Sequence, residues 1–128
     1  MENVHRIQPR GGNPNPTAVA AKALLRAAAL LGMTAKELAP VVGLSEASLS
    51  RLKKGEGAAL AGKPYELALL FIRLYRSLDA LTGGDDAVSR AWLRADNLAL
   101  GGAPVTRIAT VDGLVHVLAY LDARRAPL

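Results

Sequence analysis

At 128 residues the chain has room for one ordinary domain or two small ones. It is 51% apolar but only 4% aromatic, Ala and Leu dominate and strand-favouring residues are sparse, which favours an all-α fold over a β-sandwich. The lack of cysteine excludes a disulfide framework, a thiol nucleophile and a thiolate metal site, while a net charge of +5 and a pI near 10.0 point to an anionic partner.

That charge is uneven. Residues 1–62 hold eight Lys/Arg against four Asp/Glu, and residues 63–128 hold eight against seven, so the electrostatic footprint belongs to the N-terminal half. Residues 1–16, MENVHRIQPRGGNPNP, are rich in Pro, Gly and Asn and predict a disordered arm. His5, Arg6 and Arg10 are read there as a solvated tail ahead of a minor-groove contact. The arm has no apolar signal-peptide core, and nowhere does an apolar run reach the roughly 18 residues of a membrane span. A cytoplasmic protein with no membrane partner is expected.

Thr17 is expected to cap a long helix running to Leu31, with Gly32 as its stop and Leu24, Leu25, Ala28 and Leu31 as its buried stripe. Next comes MTAKELAPVVGLSEASLSRLKKG, Met33–Gly55. Thr34 and Glu37 form a capping box, Leu38, Ala39 and Val42 give a short helix an apolar face, and Gly43 ends it. Pro40 removes a hydrogen bond inside that helix, and a kink is expected there. Ser45 caps a second helix that turns Leu49 and Leu52 inward. The small and basic residues on its other side suit a DNA major groove.

The Ala39, Gly43, Leu49 and Leu52 spacing, Ala-x3-Gly-x5-Leu-x2-Leu, resembles the helix-turn-helix of Xre-type, lambda-repressor-like regulators. The resemblance implies that Ser45, Glu46, Ala47, Ser50 and Arg51 face base edges. Arg51 suits a bidentate guanine contact, and Glu46 either accepts from a cytosine amine or only complements the helix dipole. Lys53 and Lys54 suit phosphates.

Gly55–Gly62, GEGAALAG, reads as a linker. Pro64 opens a helix from Tyr65 to Leu81, on which Leu67, Leu70, Phe71, Leu74, Leu78 and Leu81 recur at helical spacing. With Leu69, Ile72 and Tyr75 it is apolar around most of its circumference, as befits a central core helix ahead of a dimer seam. TGGDD is a turn, and Asp85–Asp86 start a helix to about Ala95. Asp96–Gly102 is irregular, with Leu93, Leu98 and Leu100 expected to pin it to the core. A short turn starts at Pro104, and Thr110 caps a last helix, Val111–Arg125, with Leu114, Val117, Leu118 and Leu121 inward.

Trp92–Pro104, WLRADNLALGGAP, is the most specific run in the chain. Trp92, Leu93, Asn97, Ala99, Leu100, Gly101, Gly102, Pro104 and the later Gly113 resemble the C-terminal toxin-binding domain of MbcA/ParS/Xre antitoxins. The commonest form of the family has Pro where Asp96 and Leu98 stand here, so a looser loop is expected. The resemblance covers residues from about Lys63 to the end. It implies a division into an arm (1–16), an Xre-like DNA-binding domain (17–62) and a helical toxin-binding domain (63–128). It further implies a cognate toxin of the RES class that degrades NAD⁺, a C-terminal domain occluding that toxin's cleft, and repression of the operon. One such reader covers a half-site, so a homodimer is expected.

Catalysis is rejected. His5 lies in the arm, and His116, flanked by Val115 and Val117 in the last helix, reads as a structural or surface side chain ahead of a base. Asp85–Asp86 read as helix-start charges, and no HExxH, Walker loop or GxGxxG is present. No cofactor is expected, and no metal. For the toxin, Arg124, Arg125, Pro127 and Leu128 at the chain's end are the better candidates and Arg94 and Arg107 the weaker, with a solvated surface as the plain reading of all four arginines. Trp92 is read as core ahead of a hot spot. Two other readings stay open: a stand-alone dimeric repressor, and a protein inhibitor whose helix-turn-helix has lost DNA recognition.

Overall fold

The computed structural model describes residues 15–55 and 60–125. Among them the chain is all-helical: α1 (Pro16–Leu30), α2 (Ala35–Val42), α3 (Glu46–Lys53), α4 (Lys63–Leu81), α5 (Asp86–Arg94), a 3-10 turn (Leu98–Leu100), α6 (Pro104–Arg107) and α7 (Val111–Arg125). Apart from Asn15 and Pro16, the expected arm lies outside the described residues, as do Pro127 and Leu128.

Local chemistry sets most of the helix ends. The first helix begins earlier than Thr17. Asn15 is its cap, accepting from the Thr17 N–H at 2.9 Å, and Pro16 takes the first helical position, where its missing N–H costs nothing. On α2 both halves of the capping box form, Glu37 N to Thr34 Oγ1 at 3.1 Å and Thr34 N to Glu37 Oε1 at 3.0 Å, and Gly43 closes the helix in the left-handed conformation. Pro40 sits within α2 on its exposed side, and the helix runs on through it to Val42. Lys36, whose carbonyl loses its helical partner to Pro40, is itself an exposed residue, and the loss is cheapest on a solvated side. Ser45 caps α3 through the Ser48 N–H at 3.0 Å, and Asp85 caps α5 through that of Val88 at 3.1 Å.

One hydrophobic core runs through the described residues. α4 is its axis, packing against α1 and α2 on the N-terminal side and against α5 and α7 on the C-terminal side. It buries Phe71, Leu74 and Leu78 as the periodicity predicts, and also Ala68, Ile72 and Ser77. Leu81 and Leu69, expected in or beside the stripe, are exposed. Leu60, in the glycine-rich link, is buried in the core. Among the described residues the two buried hydroxyls are satisfied: Ser77 Oγ donates to Asp122 Oδ1 at 2.7 Å, and Ser89 Oγ shares a hydrogen bond with Thr82 Oγ1 at 2.7 Å.

Gly113 lies on the inner side of α7 where α6 ends against it. A Cβ there would overlap the backbone carbonyl of Arg107, so the close approach requires glycine.

Candidate nucleic-acid and partner interfaces

α3 is a short helix seated on the core by two leucines, Leu49 at 0% and Leu52 at 4% exposure. Ser45, Glu46, Ala47, Ser50, Arg51, Lys53 and Lys54 are all exposed, and Ser48 is half-buried. Glu46 lies in the first turn and Arg51 and Lys53 in the last, which suits the helix dipole at both ends. Arg51 folds back along the helix, its Nη2 donating to Ser48 Oγ at 2.9 Å. Its guanidinium is thereby held over the middle of α3 by an exposed, easily exchanged bond.

The turn after α5 is fastened from several directions. Asn97 Oδ1 accepts from the Leu100 N–H at 3.2 Å, and the Asn97 carbonyl accepts from Gly102 N at 3.1 Å. Gly101 adopts φ +73°, a conformation glycine reaches without steric cost. Leu93 and Leu100 are buried at 0% and 1%, and Pro104 is buried at the start of α6. Leu98 does not pin the turn as expected, since it stands fully exposed at 101%. In a 3-10 turn side chains repeat every three residues, so Leu98 and Leu100 point apart instead of sharing a face.

The arginines fall into two groups. Arg94 and Arg107 are bound internally. Arg94 forms a two-pronged ion pair with Glu37 and donates to the Gly32 carbonyl at 2.8 Å. Arg107 is half-buried, donates from Nε to the Leu100 carbonyl at 2.8 Å, and brings Nη2 within 3.4 Å of His116 Nδ1. Arg124 and Arg125 are exposed at the end of α7. Arg125 donates to Ser77 Oγ at 3.1 Å, beside the bond from Arg73 to Asp122 at 2.8 Å. Arg124 lies 3.9 Å over the ring centre of Tyr120, and that ring stacks on Trp92 at 6.3 Å with 25° between planes. Trp92 is thus half-buried, one side on the core and one in an aromatic–cationic ladder that sequence periodicity gives no means of seeing.

Among the described residues Glu37 is the most perturbed acid. Its carboxyl is held down at about 2 from an ordinary 4.5, first by the Arg94 guanidinium and then by the Thr34 N–H, against the opposing effect of burial. Among the described residues no single helix is long and apolar enough to cross a membrane.

Comparison with known families places two adjoining models on the chain. Residues 13–73 match the antitoxin Xre-like helix-turn-helix domain. Residues 77–126 match the antitoxin Xre/MbcA/ParS C-terminal toxin-binding domain. Both are non-catalytic families. No curated protein matches the chain. The first match runs into the middle of α4 and the second begins four residues later, so the helix that is the axis of the core is also where the two meet.

Proposed function

With an Xre-like helix-turn-helix domain followed by an Xre/MbcA/ParS toxin-binding domain, the chain is an Xre-family antitoxin, and we propose that its toxin is an NAD⁺-degrading enzyme of the RES class. In this reading residues 63–128 seat against the toxin and occlude its cleft, residues 17–62 read an operator, and the protein represses its own operon from the cytoplasm as a homodimer. The observation that carries the DNA half is the seating of α3. Leu49 and Leu52 commit one face to the core, and every base-facing and phosphate-facing candidate is left in solvent. Arg51 leaves Ser48 for a guanine edge, Glu46 and Ser50 flank it, and Lys53 and Lys54 meet phosphates.

On the toxin side Arg124 is the strongest contact among the described residues, because its guanidinium is exposed and already ordered on Tyr120. Arg125 is exposed beside it, and Pro127 and Leu128 extend the same end of the chain. Arg94 and Arg107 act here as positioning residues for the surfaces around them.

Co-expression with the product of the adjacent open reading frame tests the proposal. That product alone should deplete cellular NAD⁺ and arrest growth. Adding this protein should restore both and yield a stable complex on purification. Promoter DNA should be retarded by the protein with a steep salt dependence. Untouched NAD⁺ with retarded DNA would instead leave a stand-alone repressor.

A further inference from the structure

We propose that Leu98 is a contact point of the toxin-binding domain, entering an apolar pocket on the toxin; this rests on the antitoxin reading above. Leu98 is the most exposed large apolar side chain among the described residues, at 101%, with the next at 59%. Its turn does not depend on it. The anchors are Asn97, which binds both the Leu100 and Gly102 N–H groups, the buried Leu100, and Arg107, which holds the Leu100 carbonyl. A leucine that buries nothing contributes almost nothing to folding. Held on a fastened turn, it has little backbone freedom to lose when it docks.

Arg107, which holds the Leu100 carbonyl, also brings Nη2 within 3.4 Å of His116 Nδ1 on α7. Val111 and Val115, four residues apart on one face of α7, are exposed apolar side chains as well, at 59% and 49%. All of these residues lie within the toxin-binding match, 77–126. The occupant is therefore taken to be the toxin, a folded protein with an apolar pocket, and not a second copy of this chain.

The test compares wild type, Leu98→Ala and Leu98→Asp as full-length proteins, using the purified product of the adjacent open reading frame as probe. Affinity should fall about tenfold for Leu98→Ala, equivalent to about 1.4 kcal/mol. For Leu98→Asp it should fall by roughly a hundredfold or more. Thermal unfolding and promoter retardation should stay at wild-type values for both. Wild-type affinity in both variants overturns the inference and leaves the antitoxin reading standing. Dissociation of a homodimer by Leu98→Asp with toxin affinity unchanged also overturns it, assigning Leu98 to a contact between copies. If wild type itself fails to bind the probe, the antitoxin reading falls and the inference falls with it.

Discussion

Arg94 of α5 closes a two-pronged ion pair on Glu37 of α2, Nη1 to Oε2 at 2.8 Å and Nη2 to Oε1 at 2.9 Å, across 57 residues of sequence. Glu37 is also the acid of the capping box that starts the reading hairpin, so one carboxylate serves both the hairpin and its fastening to the toxin-binding domain. Arg90, one turn earlier on α5, donates to the Leu30 carbonyl at 3.0 Å. Together the two arginines take up carbonyls at the α1–α2 corner that the helices leave unbonded.

The pair makes stability depend on acid. Because the folded carboxyl titrates at about 2 and the free one near 4.5, its contribution is complete above pH 4.5 and disappears as pH falls toward 2. The Arg94 side chain is 42% exposed, so screening reduces the contribution to about 1 kcal/mol or less. Urea unfolding should show Arg94→Met less stable than wild type by that amount at pH 6, with the gap narrowing steadily below 4.5. A gap unchanged at pH 3 would show that the loss comes from packing alone.

Leu98 and Leu100, two residues apart, should behave oppositely in folding. Leu100→Ala removes a side chain that is 1% exposed and should cost about 2–5 kcal/mol. Leu98→Ala should change stability by less than about 0.5 kcal/mol. Chemical denaturation of the two variants side by side measures the contrast.

At Gly113 even one methyl group is too much. Gly113→Ala places a Cβ on the Arg107 carbonyl, and α6 and α7 must separate to admit it. A destabilisation of about 3 kcal/mol is expected, at the upper end of overpacking effects. It would be read as a fall in thermal midpoint, and a Gly113→Ala protein as stable as wild type would mean that the corner yields.

The two kinds of cation on α3 should separate in DNA retardation. Arg51→Ala should cost about 1–3 kcal/mol and relax preference at one base pair, and Arg51→Lys should not restore it. Lys53→Ala and Lys54→Ala should weaken all sequences alike and lower the salt slope by about one unit each. Equal loss from all three on random DNA would remove base reading from Arg51.

Much of this protein was legible in sequence because helix ends are local events. The Thr34–Glu37 box, the Ser45 cap and the Gly43 stop each need a few residues and no tertiary partner, and each stands where the sequence places it. The start of α1 differs from the expected Thr17 because Asn15 and Pro16 share the composition of the arm, yet Asn at the cap and Pro at the first position are themselves a helix start. The Leu49/Leu52 seating of α3 followed from periodicity for the same reason.

What the sequence determined by itself, then, is the number and kind of helices, the outward face of α3 and the family motifs around Trp92 and Gly101, all set by short-range backbone chemistry and spacing. The fold alone decided that Glu37 belongs to Arg94, that Arg124, Tyr120 and Trp92 stack, that Leu60 is core and that Leu98 is not. Those outcomes depend on which surfaces α4 brings together from distant parts of the chain, and a side chain's partner 57 residues away leaves no trace in local periodicity.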